Sequence, residues 1–152
     1  MSDGYGYGEG EPLLESLPLG DLNQAEKDAL LFMREEEKLA RDVYTVLAEK
    51  WDLPLFANIA ESEQTHMDSV LELIDRYELT DSASSQAGVF TNPDLQALYD
   101  QLIKQGSVSL VEAIKVGGAI EEIDILDLQK RLTQTDQEDI RIVFDNLLHG
   151  SY

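Results

Sequence analysis

Between residues 56 and 77 an apolar stripe at helical spacing is interrupted twice. In the series Phe56, Ile59, Glu63, His66, Val70, Ile74, Tyr77, a carboxylate and an imidazole three residues apart take positions that face a core. A buried carboxylate without a partner is costly or takes up a proton, so this pair needs an arginine, a hydrogen-bond network or a metal ion. One turn of helix brings the oxygen and the nitrogen to a common point, and that donor pair accepts iron, zinc or manganese.

Two further stripes are broken in the same manner. Upstream, the series Leu30, Met33, Glu37, Ala40, Tyr44, Leu47, Trp51 is broken by Glu37, while the neighbouring series Ala29, Phe32, Glu36, Leu39, Val43 gives Glu36 a similar place. Periodicity does not separate the two. The plainer reading makes residues 35–38 a solvated face, with Glu37 pairing Arg41 one turn on. Depth favours the site: about a turn near Asp52, Glu37 mirrors position 67, which puts His66 at its level and Glu63 within one turn. Downstream, Ile114, Gly118, Glu121, Ile125, Leu128 and Leu132 form a stripe whose one charge is Glu121. Glu122 lies about 100° around from it, and Asp124, one turn beyond, reaches the same site. Gly117 and Gly118 precede these acids inside the helix, where each costs about 1 kcal/mol relative to alanine, so close helix packing is expected there.

Four long helices must position these groups. The first is predicted over residues 21–50, after a cap-like Gly20-Asp21 start, and the second from Pro54 to about Tyr77. Residues 80–92 read as a loop, followed by a short helix from Pro93 to Lys104 that Gly106 ends. The third long helix runs from about Ser107 to Leu132, and Asp136 is the expected N-cap of the fourth, whose inward stripe is Ile140, Val143 and Leu147. No segment alternates as a strand does. The Gly-, Tyr- and Glu-rich residues 1–18 are expected to form a disordered tail ahead of one domain over 19–152.

Composition limits the partners. Thirty-one acidic residues against 11 basic ones, a formal charge of -20, should repel nucleic acid and anionic membrane surfaces and attract cations. Cysteine is absent, so a metal must be held by Glu, Asp and His. The N-terminus has neither the basic region nor the apolar core of a signal peptide, and no apolar run approaches the roughly 20 residues of a membrane span, so a cytoplasmic protein is expected.

The motifs resemble a known group. Glu37-Lys-Leu-Ala40-Arg-Asp-Val-Tyr44 is similar to the Glu-x-x-Ala-x-x-x-Tyr pattern on the first helix of rubrerythrins and ferritins, and Glu63-Gln-Thr-His66 to the Glu-x-x-His of their second. Glu121-Glu-Ile-Asp124 resembles the Glu-x-x-Glu of the rubrerythrin third helix. MREEEKLARDVY, ESEQTHMD and GGAIEEIDILDL look more closely like an uncharacterised prokaryotic family of ferritin-like proteins, over about residues 24–152.

The resemblance implies an all-α, ferritin-like antiparallel four-helix bundle with an extra short helix in the crossover between its second and third helices. It makes Glu37 a terminal metal ligand, Glu63 a bridging carboxylate, His66 a nitrogen ligand and Glu121 a ligand from the third helix. The implied cofactor is iron, two ions when the site is complete, and the implied chemistry is peroxidase- or ferroxidase-like reduction of oxygen or peroxide. At the level of fold it also suggests a homodimer. Rubrerythrins take a second Glu-x-x-His from the fourth helix, which DIRIVFDNLLHGSY lacks. The stripe there leads to Gly150-Ser151, and His149, about 200° around from Leu147, is expected to face solvent. The site is therefore expected to be incomplete at the C-terminus. The competing expectation is a metal-deficient binding or dimerisation module without catalysis, in which Arg41, water or each other satisfies Glu63 and His66.

Overall fold

The computed structural model describes residues 14–151, and among them it holds five α-helices and no strand: α1 (Gln24–Trp51), α2 (Pro54–Arg76), α3 (Pro93–Gly106), α4 (Leu110–Leu132) and α5 (Glu138–Ser151). Local chemistry sets most of the boundaries. Asn23 opens α1 with a reciprocal capping box, its side chain accepting from the Glu26 N–H while Glu26 Oε1 accepts from the Asn23 N–H. The start thus falls after Asn23 and not at the Gly20-Asp21 expected from sequence. Asp52 closes the helix in the left-handed region (φ 53°), and Pro54 occupies the first turn of α2. Asn92 caps α3 and Ser109 caps α4.

Asp136 does not cap α5, which begins two residues later. The Thr135 hydroxyl takes up the local turn instead: it accepts from the Gln137 N–H and donates to the buried Glu26, so this connection is tied to the start of α1. Residues 14–17, which the sequence reading places in the tail, are folded. Leu14–Ser16 form one turn of 3-10 helix, Leu14 is 3 % exposed, and the Leu17 carbonyl accepts from Arg76. Two leucines three residues apart bury on one side of such a turn. The rest of that expectation, residues 1–13, lies outside the described residues.

α1 packs along α2, and α4 along α5; α1 also meets α4, α2 meets α5, and α3 lies against both α1 and α4. Two apolar clusters result. One gathers Val43, Tyr44, Leu47, Phe56, Leu102 and Val116; the other gathers Leu30, Met33, Ile74, Leu128, Val143 and Phe144. No helix among the described residues is long and apolar enough to cross a membrane.

Residues 35–38 are not a solvated face. All four are buried: Glu36 and Glu37 face the interior, while the loop over residues 81–92 folds across the outer side of α1 and gives Glu35 and Lys38 partners. Lys38 Nζ donates to Asp42 (3.0 Å) and to the carbonyls of Gln86 and Val89 (both 2.8 Å), and lies 4.1 Å from the centre of the Phe90 ring. The Glu35 carboxylate accepts the N–H groups of Thr91 and Asn92, and Asp42 accepts that of Gly88. Arg41 pairs with Asp42 and Gln64, not with Glu37.

The inward face of α4 differs from the predicted stripe by about one residue. Ala113, Val116, Gly117, Ile120, Asp124 and Leu128 are buried, whereas Ile114 is 56 % exposed and Gly118 faces outward. Apolar residues occur on several sides of this helix, including the exposed Val111 and Leu126, so hydrophobicity alone marks no single face. Its two glycines have opposite surroundings. A Cβ on Gly117 would lie 3.1 Å from Phe56 Cζ and 3.5 Å from Tyr44 Cε1, whereas a Cβ on Gly118 would meet nothing within 4 Å. Gly118→Ala is therefore expected to stabilise the protein by about 0.5–1 kcal/mol through helix propensity. Gly117→Ala should gain less or lose stability, and thermal melts of the two variants read the difference.

Candidate metal centre

Between the two apolar clusters lies a layer of ionisable side chains. α1 contributes Glu36 and Glu37, α2 contributes Glu63 and His66, and α4 contributes Asp124. The hairpin depth inferred from sequence is met: His66 Nδ1 lies 3.2 Å from Glu37 Oε1 and 3.0 Å from Glu63 Oε1. Glu37 is 0 % exposed, Glu63 3 %, and Glu36 and Asp124 4 % each.

Two sets of potential ligand atoms arise, each with its atoms within 4.8 Å of one another: Glu37 with Glu63 and His66, and Glu36 with Glu37 and Asp124. Glu37 belongs to both. No lysine or arginine among the described residues forms an ion pair with any of the five, since Lys38 and Arg41 turn toward the loop and Asp42. Both oxygens of Glu36, Oε2 of Glu37 and Oδ1 of Asp124 are buried without a hydrogen-bond partner. Such groups in a low-dielectric layer must either hold protons or meet a cation.

Electrostatics reflect the same crowding. Burial, followed by the nearby carboxyls of Asp124 and Asp127, holds Glu36 well above the usual carboxylate range; burial, then Asp124 and Glu63, does so for Glu37. Burial also raises Asp124. For His66, burial acts to lower the pKa, but the hydrogen bond to Glu63 and the charges of Glu63, Asp124 and Glu121 outweigh it and leave it raised.

Of the four ligands implied by the resemblance, Glu37, Glu63 and His66 bring ligand atoms within 4.8 Å of one another, and Glu121 lies at the border of that group, near enough for its charge to act on His66. It is half-buried, and its Oε2 accepts from the Tyr44 phenol at 2.5 Å, with the Gly117 carbonyl 3.1 Å from the same hydroxyl. Burial is the main cause that pushes Glu121 up to about 7. In the tighter group α4 is represented by Asp124, the residue on its buried line. Glu36 joins as well, so both of the α1 alternatives face the layer.

α5 closes the layer through Gly150 and Ser151, the two positions to which its apolar stripe leads. Ser151 Oγ donates to Asp124 Oδ2, and a Cβ on Gly150 would lie 2.9 Å from both Cε1 and Nε2 of His66. Glycine is required there because the backbone itself covers the imidazole edge. Neither residue has a charge or a motif that would single it out. His149 faces solvent, as expected.

The chain matches the family described as an uncharacterized protein domain, DUF2202, over residues 26–152. It is 50 % identical over 139 residues to the uncharacterized protein MJ0754 of Methanocaldococcus jannaschii, covering 91 % of this chain and 75 % of the relative. It is also similar to the crystal structure of hypothetical protein MJ0754 from Methanococcus jannaschii, with a TM-score of 0.87 and 51 % identity, over 89 % of this chain and 78 % of that one.

Proposed function

This chain belongs to the DUF2202 family, and we propose that its acidic layer is a centre for a divalent transition metal, held by Glu37, Glu63 and His66. One observation carries the reading: Glu37, Glu63 and His66 bring ligand atoms within 4.8 Å of one another in a layer between two apolar clusters, where no lysine or arginine among the described residues pairs with the acids. The donor set of carboxylates and one imidazole fits iron, zinc or manganese. His66 Nδ1, which faces Glu37 and Glu63, is the nitrogen available to the ion.

We read α1, α2, α4 and α5 as a ferritin-like antiparallel bundle with α3 inserted in the crossover, a reading supported by the contacts of α1 with α2 and α4 and of α5 with α2 and α4. Iron is the ion that this reading favours, and bound there it would supply electrons for reducing oxygen or peroxide. The chain's own residues do the rest. The apolar clusters exclude water, and Gly150 and Ser151 hold His66 and Asp124 in place. Tyr44 keeps its phenolic proton, since burial and then Glu121 raise its pKa, and donates it in a hydrogen bond to Glu121. Glu121 titrates near neutrality at the border of the layer, where it can hold or release a proton.

A second reading, a metal-free interaction module, is favoured by His66 already lying within hydrogen-bonding distance of two carboxylates and by the exposed Val108, Val111 and Ile114. Elemental analysis of protein purified without chelator separates the two. We expect at least about one transition-metal ion per chain, lost in Glu63→Gln and His66→Ala and kept in Glu121→Gln. Protein that stays metal-free after incubation with ferrous, zinc and manganous salts would leave the interaction module as the function.

A further inference from the structure

We propose that a cleft at the end of the bundle where α1 begins and α2 ends binds a small zwitterion with an apolar body, of which a free amino acid with an aliphatic side chain is the simplest form. The cleft measures about 310 Å³ and lies between residues 19–22, the start of α1 and the end of α2 with the turn that follows it. That volume falls at the lower end of the range for small-molecule sites. Lys27 and Arg76 line it, and each stands about 15 Å along its helix from Glu37 or His66, so the cleft is separate from the acidic layer.

Lys27 gives the first argument. It is partly buried, yet among the described residues it forms no ion pair and no side-chain hydrogen bond, in a chain of 31 acids and 11 bases. The positions one turn away are Asn23, Gln24, Leu30 and Leu31, so its own helix supplies no acid. Its two acidic neighbours are engaged elsewhere: Glu26 with the Asn23 N–H and the Thr135 hydroxyl, Asp28 with the Gln24 amide. A carboxylate in the cleft would give this ammonium the partner that the fold withholds.

Arg76 is the second donor. The buried Asp139 accepts from Arg76 Nε and from the Tyr77 hydroxyl, and the Leu17 carbonyl takes Nη2, which leaves Nη1 without a partner among the described residues. Together with the bond from Gln137 Nε2 to the Asp21 carbonyl, these contacts tie the wall over 19–22 to the helices.

The rim has the opposite charge. Asp21 and Glu78 also line the cleft and are exposed, whereas Lys27 and Arg76 are partly buried. Glu78 has a φ of 57° just past the end of α2, a left-handed position where glycine is least strained, so a carboxylate is kept at the rim at a conformational cost. Leu19, Leu22 and Leu79 supply the apolar wall. A simple anion would meet two rim acids and an overall charge of -20. A zwitterion has no net charge; its carboxylate meets Lys27 and Arg76, its ammonium Asp21 and Glu78, and its side chain the leucines.

Amide chemical-shift titration of the isotopically labelled chain with L-leucine tests this. Saturable shifts centred on residues 19–22, Lys27 and residues 76–79 are expected, with a Kd of about 1 mM or tighter. Isocaproate, which lacks the ammonium, and isoamylamine, which lacks the carboxylate, should each bind at least about tenfold more weakly. Lys27→Met should weaken leucine by at least about tenfold without lowering Tm, because the ammonium has no protein partner to lose. Glu78→Gly should weaken it about two- to fivefold while raising Tm, because glycine relieves the left-handed strain. No saturable shift up to about 10 mM leucine, isocaproate bound as tightly as leucine, or a Lys27→Met protein that binds leucine as the parent does would overturn the site. These readouts involve no metal, so their failure leaves the centre on Glu37, Glu63 and His66 standing.

Discussion

Between pH 5 and pH 8 the metal-free protein is expected to melt at progressively lower temperature, and added metal should reverse the trend. The buried acids Glu36, Glu37 and Asp124 are raised above their ordinary values of 4.5, 4.5 and 3.8, and Glu121 reaches about 7. Above the ordinary values the unfolded chain releases these protons while the folded chain retains them. The native state then binds more protons, and stability falls as pH rises through the interval up to the folded values. His66 acts in the same direction: its raised pKa contributes stability that is complete below its ordinary 6.5 and is lost as pH rises through the folded value. A metal competes with those protons, so its stabilisation should be larger at pH 8 than at pH 5.5. At a free concentration one hundred times Kd the gain is about 2.7 kcal/mol, or about 5–10 °C in Tm for a chain of this size. Thermal melts over a grid of pH and metal concentration measure it. Because the overall charge of -20 is common to both arms, the difference between loaded and unloaded protein isolates the layer. A metal-induced shift that is absent, or larger at low pH, would be incompatible with a proton-linked centre.

Lys38→Met should destabilise the protein by about 3 kcal/mol, lowering Tm by about 10 °C. Lys38 is buried, and its ammonium is the shared donor for Asp42 and two loop carbonyls. Methionine keeps much of the stem's packing against Phe90 but leaves the carbonyls of Gln86 and Val89 without that donor. Asp42 retains Arg41 and the Gly88 N–H, so the loss should stay near the lower end for a broken buried pair. The double variant Lys38→Met with Asp42→Leu should recover none of the loss, because Asp42 also accepts from Arg41 and the Gly88 N–H, which would lose that acceptor. A fall of only a few tenths of a kcal/mol in the single variant would mean that the loop over 81–92 is not held through Lys38.

Much of this molecule is legible residue by residue. Pro54, Pro93 and Gly106 mark breaks that the helices respect, because proline fixes the first turn of a helix, while Gly106 is the last residue of α3 and lies where a Cβ would run into Leu47. The meeting of Glu37 with His66 follows from counting outward from Asp52, since depth in a helical hairpin is set by distance along the chain. The Glu-x-x-His pair was readable for the same reason: both lie on one helix with an apolar stripe, Glu63 buried on it and His66 partly buried at its edge beside the buried Met67.

Where the sequence was silent, a long-range contact decided. α4 carries apolar residues around most of its circumference, so its rotation was chosen by what it meets: Phe56 and Tyr44 against Gly117, and Ser151 against Asp124. That rotation sent Glu121 to the Tyr44 phenol and brought Asp124 into the layer, a choice between residues about 60° apart on one helix that periodicity cannot make. Glu35 and Lys38 likewise read as solvent-facing until a loop more than ten turns of helix away in sequence supplied their donors and acceptors. By itself the sequence determined the helices, the breaks between them, the depth of the layer and the presence of acid and imidazole within it, all properties of one segment or of two joined by a short turn. Tertiary structure alone decided which acids share the layer, which oxygens remain without a partner and which residues close it, because those depend on the rotation of packed helices about their own axes.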